Sequence, residues 1–166
     1  MASGQLWRQA HHKWRVFSSH LGWVLALSLS TDMLAAADSE LKPFAEAQVL
    51  LQVSDNNAAT YTSVLDISNN LIKHYGGPDL VDIEIIAFGK GVEMYFDETG
   101  AENPNQIRIR SLQENGVRFY VCMNTLDSLE RASGKRRTIL PNIVGVQTGV
   151  AFIVDEANEG FTVIKP

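Results

Sequence analysis

The sequence contains a single cysteine, Cys122, and its setting offers more chemistry than that of any other residue. It ends the run Val117-Arg118-Phe119-Tyr120-Val121-Cys122, which reads as a strand, and Thr125 to Ala132 follows as a short helix with Leu126 and Leu129 on one side. The thiol therefore falls at the carboxyl end of a strand, just before a helix N-terminus. Unpaired backbone N–H groups and the positive end of the helix dipole stabilise an anion there. A thiol so placed has a lowered pKa, and the thiolate is the nucleophile. Asn124 or Thr125 is the expected helix cap. A lone cysteine has no intramolecular disulfide partner, which leaves a reactive thiol or an intermolecular link. The other reading is a buried cysteine that packs as a small hydrophobe between sheet and helix.

Two further segments bring polar or flexible residues to strand ends, where open α/β sheets bind ligands. They are Ser54-Asp55-Asn56 and Gly89-Lys90-Gly91. The backbone amides of the second can cradle an anion, although a tight turn has the same composition. Asp55 is a helix N-cap or an acid. Asn124 and Thr125 complete the set of substrate- or anion-binding candidates around Cys122. The loop Lys135-Arg136-Arg137 is a solvated or partner-facing basic patch. His74 falls at a helix end and on the surface, whereas His11, His12 and His20 lie in the N-terminal segment. No histidine is placed to act as a base, and no cluster has metal-ligand spacing. There is no G-x-S-x-G or Walker motif. No metal or other cofactor is implied.

The elements that position these residues alternate. Gln48 to Val53, Val81 to Phe88, Val117 to Cys122, Ile143 to Val146 and Phe161 to Ile164 read as strands. Asp82 and Glu84 alternate with apolar residues, so the start of the second strand is expected to be partly wet. Tyr61, Val64, Leu65, Ser68, Leu71, Ile72 and Tyr75 recur at helical spacing, and Gly76-Gly77-Pro78 stops that helix. A short helix holds Val92, Met94, Tyr95 and Phe96. Ile107 to Asn115 is another, closed by Gly116. Val150, Ile153, Val154 and Ala157 mark the core stripe of the last helix. The pattern predicts an α/β fold: a three-layer α/β/α sandwich with a mainly parallel five-stranded sheet. Phe152 lies off that stripe, and Met94, Tyr95 and Phe96 are adjacent and cannot all face one core. Apolar surface of this kind predicts a homo-oligomer.

The first 37 residues differ from the rest. Arg8, Lys13 and Arg15 precede the apolar stretch Leu21 to Leu29, and Ala35-Ala36-Ala37 stands before Asp38. These are the parts of a secretory signal peptide, and the apolar run is well short of the ~20 residues that span a bilayer. The expected organisation is a signal peptide at 1–37, a linker at 38–46 and one domain at 47–166, exported and periplasmic, with no membrane span after cleavage. The formal net charge is −5; loss of Arg8, Lys13, Arg15 and Asp32 with the leader takes it to −7. An acidic domain of this kind argues against nucleic acid or an anionic membrane as partner.

Four segments carry a resemblance: Val49 to Asp55, Ile86 to Val92, Gly116 to Leu126 and Gly160 to Pro166. In them the sequence resembles the DsrE/DsrF-like family of TusD- and YchN-like sulfur-relay proteins, over about residues 47–166. The third segment is the most specific, with a glycine ahead of a strand that ends in cysteine. The resemblance implies that Cys122 accepts sulfur as a persulfide. It also implies assembly as a homotrimer or homohexamer, with a thiol or persulfide protein as donor or acceptor. The relay proteins of that family work in the cytoplasm, whereas this chain has the marks of an exported one. The alternative is a non-catalytic oligomeric binding or assembly module with a structural cysteine.

Overall fold

The structure is a computed structural model that describes residues 41–97 and 103–166. The expected leader and the first residues of the linker lie outside the described residues. β1 (Ala47–Val53) and β2 (Val81–Ala87) pair in parallel along their full lengths, Ala47 opposite Val81 and Val53 opposite Ala87. β3 (Arg118–Cys122) joins β2, β4 (Val144–Val146) joins β3, and β5 (Thr162–Ile164) pairs with the free side of β1. The sheet is all parallel, in the order β4-β3-β2-β1-β5. Its connections are α1 (Ala58–Tyr75), α2 (Gln106–Glu114), α3 (Met123–Ser133) and α4 (Gly149–Asn158), with 3₁₀ turns at Pro78–Leu80 and Gly89–Tyr95.

This order explains how the layers form. From β1 to β4 each strand is added on the same side, so right-handed crossovers place α1, α2 and α3 on one face. The step from β4 to β5 runs back across the whole sheet, and the same handedness places α4 on the other face. The two cores reflect this. Val49, Leu51, Val53, Ile83, Ile85, Phe119 and Val121 pack with Val64 and Leu65 of α1, Ile109 and Leu112 of α2, and Leu126 of α3. Leu50, Ile86, Tyr120 and Phe161 form a smaller core with Phe152 and Ile153 of α4. Period-two alternation along each strand separates the two sets. Each fully buried leucine or isoleucine contributes about 1.5–3 kcal/mol, so the three-helix face holds most of the apolar stabilisation.

Close packing of the turn after β2 depends on a glycine. A Cβ on Gly91 would stand 2.1 Å from the carbonyl oxygen of Val53, so no larger residue fits while the turn after β2 lies against the end of β1. The helix stops behave as their composition predicts: Gly76 ends α1 at φ 86°, and Gly116 follows α2 at φ 73°.

Four sequence expectations change. Asp82 and Glu84 are not wet; both are fully buried, because their side chains face α4 and meet Arg118 and Tyr120. α3 starts at Met123, not Thr125, with Cys122 itself as the residue before its first turn. The buried side of α4 is Gly149, Phe152, Ile153 and Glu156, whereas Val150, Val154 and Ala157 are exposed. The predicted stripe was one position out of register because a glutamate occupies an inward site. Met94 and Tyr95 are both fully buried and Phe96 packs against the main core, since a 3₁₀ turn followed by extended chain lets neighbouring residues enter the core together.

Of the expected linker, the described part docks on the sheet. Lys42 donates from Nζ to the carbonyls of Pro78 and Val81, at 2.7 and 3.2 Å, and Glu46 N–H donates to Leu80 O at 2.9 Å.

Candidate functional site

Arg118, Tyr120 and Cys122 alternate with Phe119 and Val121, so Cys122 projects to the α4 face at the carboxyl end of β3. The chain turns directly into α3, and the first-turn N–H groups of Asn124 and Thr125 lie beside the sulfur. The β4–α4 connection brings in a second helix start. A Cβ on Gly149 would lie 3.2 Å from Cys122 Cβ and 3.1 Å from Phe88 Cβ, so glycine lets the N-terminus of α4 settle on the thiol. Two helix N-termini thus converge on one sulfur, and each favours negative charge.

The electrostatic balance follows from these contacts. Burial pushes the Cys122 thiol up. The Thr125 hydroxyl, then the backbone N–H groups of Gly149, Thr125 and Asn124, outweigh it and bring the thiol below its ordinary value. The uncharged thiol has an acceptor in Gln147 O, 3.9 Å from Sγ. Thr125 Oγ1 is itself fixed by Gly89 N–H, which donates to it at 3.2 Å. Asn124 clasps the β4–α4 loop: its N–H donates to Gln147 O at 3.1 Å, its Nδ2 to Thr148 Oγ1 at 3.0 Å, and its Oδ1 accepts from Gln147 Nε2 at 2.6 Å. The cysteine is only 6% exposed, so access to the sulfur depends on α4 and the loop before it.

The structure therefore groups Gly89, Asn124 and Thr125 with Cys122. Asn124 and Thr125 act from inside the first turn and do not cap it from outside. The other candidates have different roles. Ser54 is half-buried and presents its carbonyl oxygen 3.3 Å from where a Gly89 Cβ would be. Asp55 Oδ1 accepts from Asn57 N–H at 3.0 Å, and Asn57, not Asp55, caps α1 through Ala59 N–H. Asn56 donates to Glu93 Oε2 at 3.3 Å. Lys90 is exposed, while Gly91 serves the packing described above. In the basic loop, Arg136 pairs with Asp127 and Glu130, and Arg137 lies over the Phe96 ring, 4.8 Å from its centroid. His74 is exposed and edges Tyr75.

A cavity of about 920 Å3 lies on the other face, lined by Tyr61, Glu93, Phe96, Arg108 and Leu129 among others. Cys122 is not part of it, and the polar groups that converge on the thiol do not reach it. Its size suits a small molecule, but the nucleophile lies across the sheet.

Sequence reasoning missed two features. One is the Thr148–Gly149 start of α4, which only the topology brings to Cys122. The other is the buried charge cluster of Asp82, Glu84, Arg118 and Glu156 under the same helix. Its signal was present as Asp82-x-Glu84 and Arg118-x-Tyr120-x-Cys122, polar groups at period two on one face.

Among the described residues no group of His, Cys, Asp and Glu is arranged to hold a metal ion, and no helix is long and apolar enough to cross a membrane. No protein-family model matches the chain, and no curated protein matches it. Among solved structures it is similar to the protein of unknown function MTH1491 from Methanobacterium thermoautotrophicum. The two are 26% identical with a TM-score of 0.60, over 73% of this chain and 100% of that one. The likeness supports the α/β sandwich.

Proposed function

We propose that this protein is a sulfur carrier or relay component of the DsrE/DsrF-like kind, with Cys122 as the acceptor. The observation that carries the reading is the convergence of two helix N-termini and the Thr125 hydroxyl on one lowered-pKa thiol. The Cys122 thiolate attacks the outer sulfur of a donor persulfide, R–S–SH. The new S–S bond forms as the donor's S–S bond breaks, the donor leaves as a thiolate, and Cys122 keeps the outer sulfur and its proton as a persulfide. The same N–H groups stabilise the persulfide anion. Transfer onward repeats the step on an acceptor thiolate. In this reading donor and acceptor are thiol or persulfide proteins, the chain works after export to the periplasm, and it assembles as a homotrimer or homohexamer. Val144, Val150 and Val154, at 39%, 56% and 54% exposure, supply apolar surface for such contacts.

A second reading has an observation in its favour. At 6% exposure, Cys122 also fits a structural role in a non-catalytic binding or assembly module. Alkylation separates the two. A working thiolate reacts with iodoacetamide in the native protein at neutral pH, whereas a structural one reacts only after denaturation. Delivery of labelled sulfur from the loaded protein to an acceptor thiol then tests the relay step; a native thiol that reacts but never passes sulfur on refutes the carrier reading.

A further inference from the structure

α4 is the one helix, among the described residues, that covers its face of the sheet. Its first residue, Gly149, rests on Cys122. Two turns later Glu156 enters the interior at 7% exposure, and its Oε2 is buried with no hydrogen-bond partner. An apolar residue at this position would complete the stripe begun by Phe152 and Ile153, so the glutamate gives up packing and must hold a carboxyl group out of water.

The groups that face it are mostly acidic. β2 presents Asp82 and Glu84, both fully buried, and Glu84 Oε2 is also without a hydrogen-bond partner. β3 presents Arg118 and Tyr120. Arg118 Nη1 lies 2.9 Å from Asp82 Oδ1, and its Nη2 and Nε donate to Glu84 Oε1 at 2.9 and 3.0 Å. Tyr120 O–H donates to the same oxygen at 3.1 Å. β1 and β5, the other strands under α4, carry no titratable side chain. Glu159 adds negative charge just past the helix end. Lys42 N–H donates to Asp82 Oδ2 at 3.2 Å, while its ammonium is held by backbone carbonyls. Among the described residues, the Arg118 guanidinium pairs directly with two of the three carboxyl groups of this cluster, Asp82 and Glu84.

We propose that Glu156 is a proton-operated latch on α4: protonated, it holds the helix on the sheet and keeps Cys122 covered, and ionised, it is repelled by Asp82 and Glu84 and loosens the helix over the thiol. Burial first, then the charge of Glu84, raise Glu156 to about 7, with Arg118 opposing and Glu159 and Asp82 adding to the rise. A carboxyl group whose folded value is raised binds its proton more tightly when packed than when released. The latch is therefore at full strength below the ordinary carboxylate value of 4.5 and weakens as pH rises to about 7. The inference concerns access to the thiol and holds whatever reagent the thiol accepts, so its failure and that of the sulfur-carrier reading are separable.

Hydrogen exchange tests it directly. Protection of the α4 peptide is corrected for intrinsic rates and referred to α1 in the same sample, at pH 5.5 and pH 8. The wild type is expected to lose about tenfold or more of its α4 protection over that interval. Glu156→Gln, which keeps the shape without the charge, is expected to stay protected at both pH values. At pH 8 its Cys122 is expected to react with iodoacetamide about tenfold more slowly than the wild-type thiol. An α4 protection that does not change with pH in the wild type overturns the proposal, whether or not the variant folds. So does an equal pH response in the two proteins.

Discussion

Replacing Thr125 with valine removes the hydroxyl that does most to lower the Cys122 pKa, and it keeps the side chain's volume and branching. Burial of the sulfur, which acts in the opposite direction, stays. A hydrogen bond to a charged group is worth about 1.5–3 kcal/mol net, and one pKa unit corresponds to about 1.4 kcal/mol. The thiol of Thr125→Val is therefore expected to titrate about one to two units higher than that of the wild type. Below both midpoints its thiolate population, and with it the alkylation rate, falls about ten- to a hundredfold. The Gly89 N–H loses its acceptor as well, but Gly89 is exposed and water takes that place. The assay is the rate of iodoacetamide alkylation from pH 5 to 10, with the midpoint read from the profile and the fold checked by circular dichroism. Thr125→Ser keeps the hydroxyl and is expected to stay within about half a unit of the wild type. An unmoved or lowered midpoint in Thr125→Val, in a folded protein, would show that the hydroxyl does not stabilise the thiolate.

Other perturbations test the frame around the thiol. Gly91→Ala forces a Cβ into the space 2.1 Å from Val53 O, and it is expected to cost about 2–4 kcal/mol in urea unfolding; a loss under ~0.5 kcal/mol would mean that the turn is not pressed against β1. Arg118→Leu leaves Asp82 and Glu84 buried without their cation, and it is expected to cost about 3–5 kcal/mol at pH 7. That deficit should shrink as pH falls, because Glu84, whose pKa burial already raises, then takes up a proton; a deficit that is flat or grows in acid contradicts this. Light scattering at micromolar concentration is expected to give a mass near three or six mature chains, and the mass of a single chain would refute the assembly. Mass spectrometry of protein from its native host is expected to place the N-terminus near Asp38, and an intact residue 1–37 segment in the cytosol would refute export.

The sheet was legible because its strands are continuous apolar runs bounded by glycine and polar residues, and strand–helix alternation leaves little choice but parallel pairing. Cys122 was legible for the same reason, since a strand that ends in cysteine and turns into a helix places the thiol at a helix N-terminus without further information. The second helix start was not legible. Gly149 reaches Cys122 only because the β4–α4–β5 crossover returns over the opposite face, and this rests on strand order, which a local pattern does not encode. α4 was misread for a related reason. Val150 and Val154 are apolar and Glu156 is charged, so hydrophobicity alone turns the helix the wrong way, and only the buried Arg118 and carboxylate cluster explains a glutamate facing in. Asp82 and Glu84 were read as wet because isolated carboxylates seldom enter a core; their partner lies more than 30 residues later in the sequence. Asp55 and Asn56 are site candidates by their place at a strand end, and the structure adds what a local pattern does not show, that Asp55 accepts from Asn57 N–H and Asn56 donates to Glu93.

A sulfur carrier takes up sulfur on Cys122 while it is folded. The most direct test of this is the intact mass of the native protein after incubation with a persulfide donor, followed by peptide mapping, beside Cys122→Ser. One added sulfur atom is expected on the peptide that contains Cys122, lost on reduction with dithiothreitol and absent from Cys122→Ser. A wild-type protein that stays unmodified, under conditions that load an exposed protein thiol, would contradict it.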